Sequence, residues 1–225
     1  KNNDSNPVNY NKSLGKSSSQ SSFNYGSSLT QAALSDIPAV HDLGIKGTGV
    51  IIGILDTGFR WKSHPSLSTK SVLNEHDFVQ NDNITENQPG DASDQDSHGT
   101  AVFSLMAGYA PGNLIGPAYD ANFILAKTEY VPTETHMEED NYAAALEWME
   151  GLGVQITSSS LGYNEFDAPE ASYTFLNMDG KTTVVAKAAN LAFDRGVSTF
   201  TAAGNERANS WNHIISPADA FNIIA

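Results

Sequence analysis

From Gly49 onward the chain alternates two textures: short unbroken apolar runs, and longer stretches with apolar residues three and four apart. Gly49-Val50-Ile51-Ile52-Gly53-Ile54-Leu55 is the first run. Its β-branched residues follow one another without a polar interruption, the mark of a strand buried on both faces. Residues 122–126, 154–161 and 197–203 repeat that texture. Between the runs, Tyr142, Leu146 and Met149 share one helical face. Val185, Ala188, Ala189 and Ala192 share another, and Gly196 follows as a natural stop. Asp36-Ile37-Pro38-Ala39-Val40 reads as a short helix start, an N-cap candidate with Pro in the first turn. Strands and helices alternating at this spacing predict an α/β fold, a three-layer, mostly parallel sheet with helices on both faces.

Two segments depart from the rhythm. Residues 1–30 are rich in Ser and Asn, with Ser17-Ser18-Ser19, Ser21-Ser22 and Ser27-Ser28. Such a stretch buries too little apolar surface to offset its chain entropy, so a flexible arm is expected there, ahead of one domain over residues 31–225. Residues 75–96 hold seven carboxylates, no Lys or Arg, and the turn formers Asn81-Asp82-Asn83 and Pro89-Gly90-Asp91. They read as a long, solvated acidic surface loop.

Charge and composition narrow the classes of function. Twelve Lys and Arg against 26 Asp and Glu leave a formal charge of −14. Phosphate backbones demand clustered cations, so nucleic acid is not expected as a partner. The absence of Cys removes disulfides, thiolate catalysis and thiolate metal sites together. No apolar run approaches the ~18–20 residues of a membrane helix, so no membrane span is expected. The chain opens on Lys1 and stops in the apolar run Phe221-Asn222-Ile223-Ile224-Ala225, which reads as a piece of a longer protein.

Three residues carry candidate chemistry. Asp56 closes the first apolar run and precedes Thr57-Gly58, where a carboxylate needs a hydrogen-bonding or positive partner or else acts as a turn residue. His98 stands in Asp96-Ser97-His98-Gly99-Thr100, at the entrance of a helix that Asp96 or Ser97 could cap. The positive helix end favours its neutral, proton-accepting form, and Gly99 leaves its face uncovered. Asn205, in Ala202-Ala203-Gly204-Asn205-Glu206, offers an amide donor after a small-residue strand end, or simply a turn residue. Each lies at or next to the carboxyl end of a strand, or on the helix entered from there, so all three can share one rim of a parallel sheet. A carboxylate orienting an imidazole opposite an amide donor is equipment for acyl transfer.

In that order and context the segments resemble those of the subtilisin-like serine proteases, the subtilases. Residues 50–58 are similar to the family's aspartate segment, 97–102 to its histidine segment, and 202–206 to its oxyanion-asparagine segment. The resemblance implies that Asp56 orients the imidazole, His98 serves as general base and then general acid, and Asn205 donates to the oxyanion. It also implies that Ser160, Leu161 and Gly162 pair with an extended peptide, while Ala202, Ala203 and Gly204 wall the pocket for the side chain before the scissile bond. A polypeptide substrate and a secreted or cell-surface location follow from the same resemblance.

The family's nucleophile, the Ser of Gly-Thr-Ser-Met-Ala, has no counterpart in these residues, and only 20 residues follow Asn205. These 225 residues by themselves are therefore expected to be inactive, with the Ser supplied further along the parent. No cofactor is required. The calcium that some members bind after a His-Pro pair lacks its Asp here, because His64-Pro65 is followed by Ser66; calcium stays possible, with no ligand set assigned. Two other readings stand beside the protease: a catalytically inactive subtilisin-like scaffold, and an aspartic protease, since Asp56-Thr57-Gly58 matches that signature once.

Overall fold

The structure, a computed structural model, describes residues 21–225; residues 1–20 of the expected arm lie outside the described residues. In chain order its elements are α1 (Leu29–Leu34), α2 (Ile37–Asp42), β1 (Ile51–Asp56), β2 (Ser71–Asp77) and α3 (Ser97–Ala107). A short hairpin of two-residue strands, β3 (Tyr109–Ala110) and β4 (Leu114–Ile115), leads to β5 (Asn122–Lys127) and α4 (His136–Gly151). Then come β6 (Ile156–Ser159), α5 (Val184–Asp194) and β7 (Ser198–Thr201). β2, β5, β1, β6 and β7 lie side by side in that order, and every neighbouring pair is parallel.

Alternation along the central strands assigns the two faces. Ile52 and Ile54 of β1, with Phe123 and Leu125 of β5, pack under Phe103 and Ala107 of α3. Leu55, Ile124 and Ala126 point the other way, under Tyr142, Leu146 and Met149 of α4 and Val185 and Ala192 of α5. Side chains two apart on a strand share a face, so an unbroken apolar run is what a strand between two helical layers requires. Each fully buried aliphatic or aromatic side chain contributes about 1.5–3 kcal/mol. Gly53 sets the spacing of one layer: a Cβ there would stand 2.5 Å from the sulfur of Met149, so α4 rests directly on β1. The three-layer parallel architecture expected from the sequence is the one observed.

The strand ends carry a second, polar core. The register sets Asp56, Lys127 and Asp77 level across β1, β5 and β2. The Lys127 ammonium is fully buried, 2.8 Å from Asp77 and 2.7 Å from Asp91. Asp77 also accepts from the backbone N–H groups of Val79 and Gln80, at 2.7 and 3.0 Å. Residues 75–96 are therefore only in part the solvated loop expected from their composition: residues 80, 81, 83, 84, 87, 89, 90, 93 and 94 are exposed, but the two ends are drawn into the fold. The first three complete β2, and Asp77, Thr85, Gln95 and Asp96 are buried. A cation supplied by β5 draws the acidic segment inward, and composition within the segment could not reveal it.

A similar correction applies to residues 21–30. Phe23 and Tyr25 interrupt the Ser-rich composition, and they pack with Ala32, Ile37, Ile115 and Tyr119 in a small apolar cluster. Tyr25 is 1% exposed, and its hydroxyl lies 2.5 Å from Nδ1 of His41. Two aromatic anchors suffice to lay this part of the predicted arm on the body. Among the described residues no helix is long and apolar enough to cross a membrane.

Removing the buried cation should be costly. Lys127→Ala leaves Asp77 and Asp91 facing each other without a counter-charge, and a loss of about 3–5 kcal/mol is expected. Urea unfolding of the variant and the parent sequence reads it; an unchanged midpoint would show that the ion pair does not hold these strand ends.

Candidate active site

Asp56 ends β1 with its side chain fully buried. Oδ1 accepts from the backbone N–H of Thr57 at 2.7 Å and from the Thr57 hydroxyl at 3.2 Å, and lies 2.7 Å from Nδ1 of His98. His98 is the second residue of α3 and keeps 55% of its side chain exposed. What brings the two together is the residue after the histidine. A Cβ on Gly99 would stand 2.3 Å from the Gly58 carbonyl oxygen and 2.9 Å from Cβ of Asp56. Gly99 thus permits backbone-on-backbone contact between helix and strand end, a use distinct from the uncovered histidine face expected from the sequence. Gly58, at φ +140°, turns the chain beneath that contact, where its own Cβ would meet the Thr85 carbonyl at 2.8 Å.

The electrostatics of His98 run opposite to the helix-end expectation. Its hydrogen bond to Asp56 holds the imidazole pKa above the usual value, with burial opposing. A full carboxylate charge in direct contact outweighs the partial positive charge of a helix terminus. Asp96 precedes α3 without a side-chain cap; its carboxylate instead accepts from the N–H of Asn87 at 3.1 Å and faces Arg60 at 3.5 Å.

Past the ends of β6 and β7 opens a pocket of about 330 Å³. Ser160, Leu161 and Gly162 form one wall, and Ala202, Gly204 and Asn205 the other. Ala203 does not line it; its carbonyl accepts from the N–H of Ile215 at 3.2 Å. Ile215 itself borders the pocket and is wedged between the walls: a Cβ on Gly162 would be 2.2 Å from its Cδ1, and one on Gly204 would be 2.8 Å from its Cγ1. Glu134, Glu165 and Glu206 line the pocket as well, without a Lys or Arg among the lining residues. Neither Ile215 nor these carboxylates were singled out from the sequence. Ile215 is placed by the antiparallel bridge between Tyr163 and Ser216, a pairing of distant residues without a local signature.

Asp56, His98 and Asn205 therefore lie at the carboxyl rim of one sheet, the last exposed at the start of the turn Glu206–Ala208. Among the described residues no group of three or more His, Cys, Asp or Glu is placed to hold a metal ion. The carboxylates of Asp77 and Asp91, in the acidic segment, are engaged by Lys127. Asp56 faces an imidazole rather than a second carboxylate, which removes the geometry an aspartic protease needs.

Beneath the pocket, Glu129 is buried and accepts from the Tyr163 hydroxyl at 2.7 Å and the Thr128 hydroxyl at 2.8 Å. Burial pushes its carboxyl up to about 8, and that of Glu138 up to about 7. A carboxyl whose pKa is raised on folding binds its proton more tightly in the native state. Its contribution to stability is complete below the ordinary carboxylate range and is lost as pH rises through the folded value. Unfolding midpoints should accordingly fall between pH 5 and pH 8.5. Glu129→Gln, which keeps the acceptor for Tyr163, should flatten that fall; an unaltered pH profile would count against a neutral Glu129.

Comparison with known proteins yields one consistent picture. Residues 47–225 match the model of the Subtilase family, Peptidase_S8. An alkaline protease of Alkalihalobacillus alcalophilus is 30% identical over 189 residues, covering 83% of this chain and 42% of the relative. Subtilisin BL of Lederbergia lenta is 29% identical, covering 83% of this chain and 59% of its own length. The Minor extracellular protease Vpr of Bacillus subtilis (strain 168) is 31% identical over 176 residues, 76% of this chain and 19% of the relative. Among solved structures, the prenylagaramide maturation protease PagA superposes with a TM-score of 0.58 at 20% identity, over 84% of this chain and 56% of that one, a likeness of fold. The chain spans about half the length of the first of these relatives. On the match over residues 47–225, the chain belongs to the subtilase family.

Proposed function

We propose that these residues are the part of a serine endopeptidase that activates the nucleophile and binds the peptide, with the serine contributed by the parent protein outside them. The observation that carries the reading is the 2.7 Å contact between a fully buried Asp56 and a half-exposed His98. The buried carboxylate holds Nδ1, which leaves Nε2 as the working nitrogen; it makes no hydrogen bond among the described residues. In the acylation step the serine oxygen attacks the scissile carbonyl carbon and its proton passes to Nε2 of His98. The negative charge that builds on the carbonyl oxygen is met by the Asn205 amide, whose side chain is free of other partners among the described residues. His98 then returns the proton to the leaving amine, and a water molecule repeats the sequence to release the acyl group. Asp56 stabilises the imidazolium throughout.

Ser160, Leu161 and Gly162 would pair with the substrate backbone as an added strand, which the parallel ladder of β6 leaves room for at its carboxyl end. Ala202, Gly204 and Ile215 would receive the side chain before the scissile bond, with Ala203 acting through its carbonyl on Ile215 rather than as a wall. Carboxylates at the pocket favour a cationic over an anionic side chain there. A secreted or cell-surface setting agrees with the extracellular designation of one relative. An inactive scaffold would need neither a buried carboxylate aimed at an exposed imidazole nor a free amide at the pocket, so the catalytic reading is preferred.

Hydrolysis of an unfolded protein tests this directly. The parent protein should turn over in a manner blocked by a serine-directed phosphonylating reagent, and the 225 residues alone should not. His98→Ala in the parent should lower kcat by several orders of magnitude, and Asn205→Ala by about 10²–10³, with KM little changed. Inhibitor-sensitive turnover by the 225 residues would place a nucleophile among their own serines and overturn the reading. With matched peptides carrying Arg or Glu before the scissile bond, kcat/KM should favour Arg, and the preference should shrink in 0.5 M salt. A preference for Glu would exclude the assigned pocket.

A further inference from the structure

We propose that Gln95 is a positioning residue that fixes Asp56, His98 and the substrate pocket in one geometry, through hydrogen bonds from a single buried amide. The inference rests on the catalytic reading above for its purpose, but on independent contacts for its geometry. Gln95 is fully buried. Its Nε2 donates to the carbonyl of Thr57 at 2.8 Å, directly after Asp56, and to the carbonyl of Glu129 at 2.7 Å, just past the end of β5. Its Oε1 accepts from the N–H of Val131 at 3.1 Å. The residue itself lies in the turn that enters α3, three positions before His98.

Other contacts also join the end of β1 to the start of α3. Gly99 N–H reaches the Thr57 hydroxyl at 3.4 Å, and the Arg60 N–H reaches the Thr100 hydroxyl at 2.8 Å. Gln95 differs in reaching a third element. The segment it holds after β5 leads to Glu134 at the pocket, and Glu129 bonds the Tyr163 hydroxyl next to Gly162 of the substrate wall. Both amide protons and one oxygen lone pair are used, all on backbone groups, so the side chain has a single satisfied orientation. Removing it would strand the buried carbonyl of Glu129 and leave the part-buried Thr57 carbonyl and Val131 N–H without this partner, and the three segments would find separate compromises.

A merely structural role would lower stability and leave His98 as it is, whereas a positioning role alters the contact with Asp56. The test is therefore the titration of the His98 ring protons by NMR in the 225-residue chain, which requires no nucleophile. Gln95→Met keeps the length of the side chain and removes its bonds; the His98 pKa should fall back toward that of a free imidazole. Gln95→Leu, also uncharged and without hydrogen-bonding groups, removes the same bonds and should act in the same direction. Tyr25→Ala, in the remote aromatic cluster, serves as a control that lowers the melting temperature without moving the titration. An unchanged His98 titration in either folded Gln95 variant overturns the proposal, as does loss of the fold in both, which would make Gln95 a folding residue. In the serine-containing parent, Gln95→Met should reduce kcat by about 10- to 100-fold with a smaller change in KM. A shifted titration together with a parent that hydrolyses nothing would leave the positioning role standing and sink the protease reading instead.

Discussion

Because a Cβ on Gly99 would stand 2.3 Å from the Gly58 carbonyl oxygen, the first turn of α3 can meet the end of β1 only as backbone on backbone. Much of the site follows from that contact. It brings an imidazole on a helix to a carboxylate on a strand, although the two are 42 residues apart in the chain. It buries Asp56 completely while leaving His98 half exposed, so one edge of the ring meets the carboxylate and the rest faces solvent. Any side chain at position 99 would push the helix away and leave a buried carboxylate facing a gap, an arrangement that costs several kcal/mol.

The parallel sheet makes this contact useful by delivering other groups to the same rim. β1, β6 and β7 are neighbours with their carboxyl ends together, so the small-residue segments after β6 and β7 become the two walls of one pocket. Ile215, wedged between Gly162 and Gly204, sets the spacing of those walls with an apolar group that needs no polar partner. On the opposite side of β1, the rim is closed by charge: Lys127 stands level with Asp56 and is committed to Asp77 and Asp91. One side of β1 thus opens on a pocket that mixes small, apolar and acidic residues, and the other is ionic and sealed.

A high acidic content takes on a different meaning in this setting. The formal charge of −14 resides in side chains of very different environments. Asp77 and Asp91 are held by a buried ammonium, and burial pushes Glu129 toward the neutral form. Glu134, Glu165 and Glu206 border the pocket. The acidic balance therefore tunes the pocket and the polar core as well as the solvent-facing surface. Buried carboxyls such as Glu129 and Glu138 therefore add to the pH sensitivity of the fold.

The sequence by itself determined the layered parallel architecture, because a strand covered on both faces must be apolar throughout, and β1 and β5 are written that way. It also singled out Asp56 and Asn205, after apolar strands, and His98, at a helix entrance, as candidates, since each sits in a short local motif. Only the tertiary structure decided the remainder. β2 escaped notice because it is an edge strand of mostly polar residues with a register shift between Val72 and Asn74. The burial of the Asp77 and Asp91 carboxylates depends on Lys127, the anchoring of residues 21–30 on partners such as Tyr119, and the placing of Gln95 on Thr57, Glu129 and Val131. Apolar burial announces itself locally, through periodicity along the chain. A buried polar group is tolerated only by virtue of its partner, and here those partners come from elements far away in sequence, where no local pattern can reveal them.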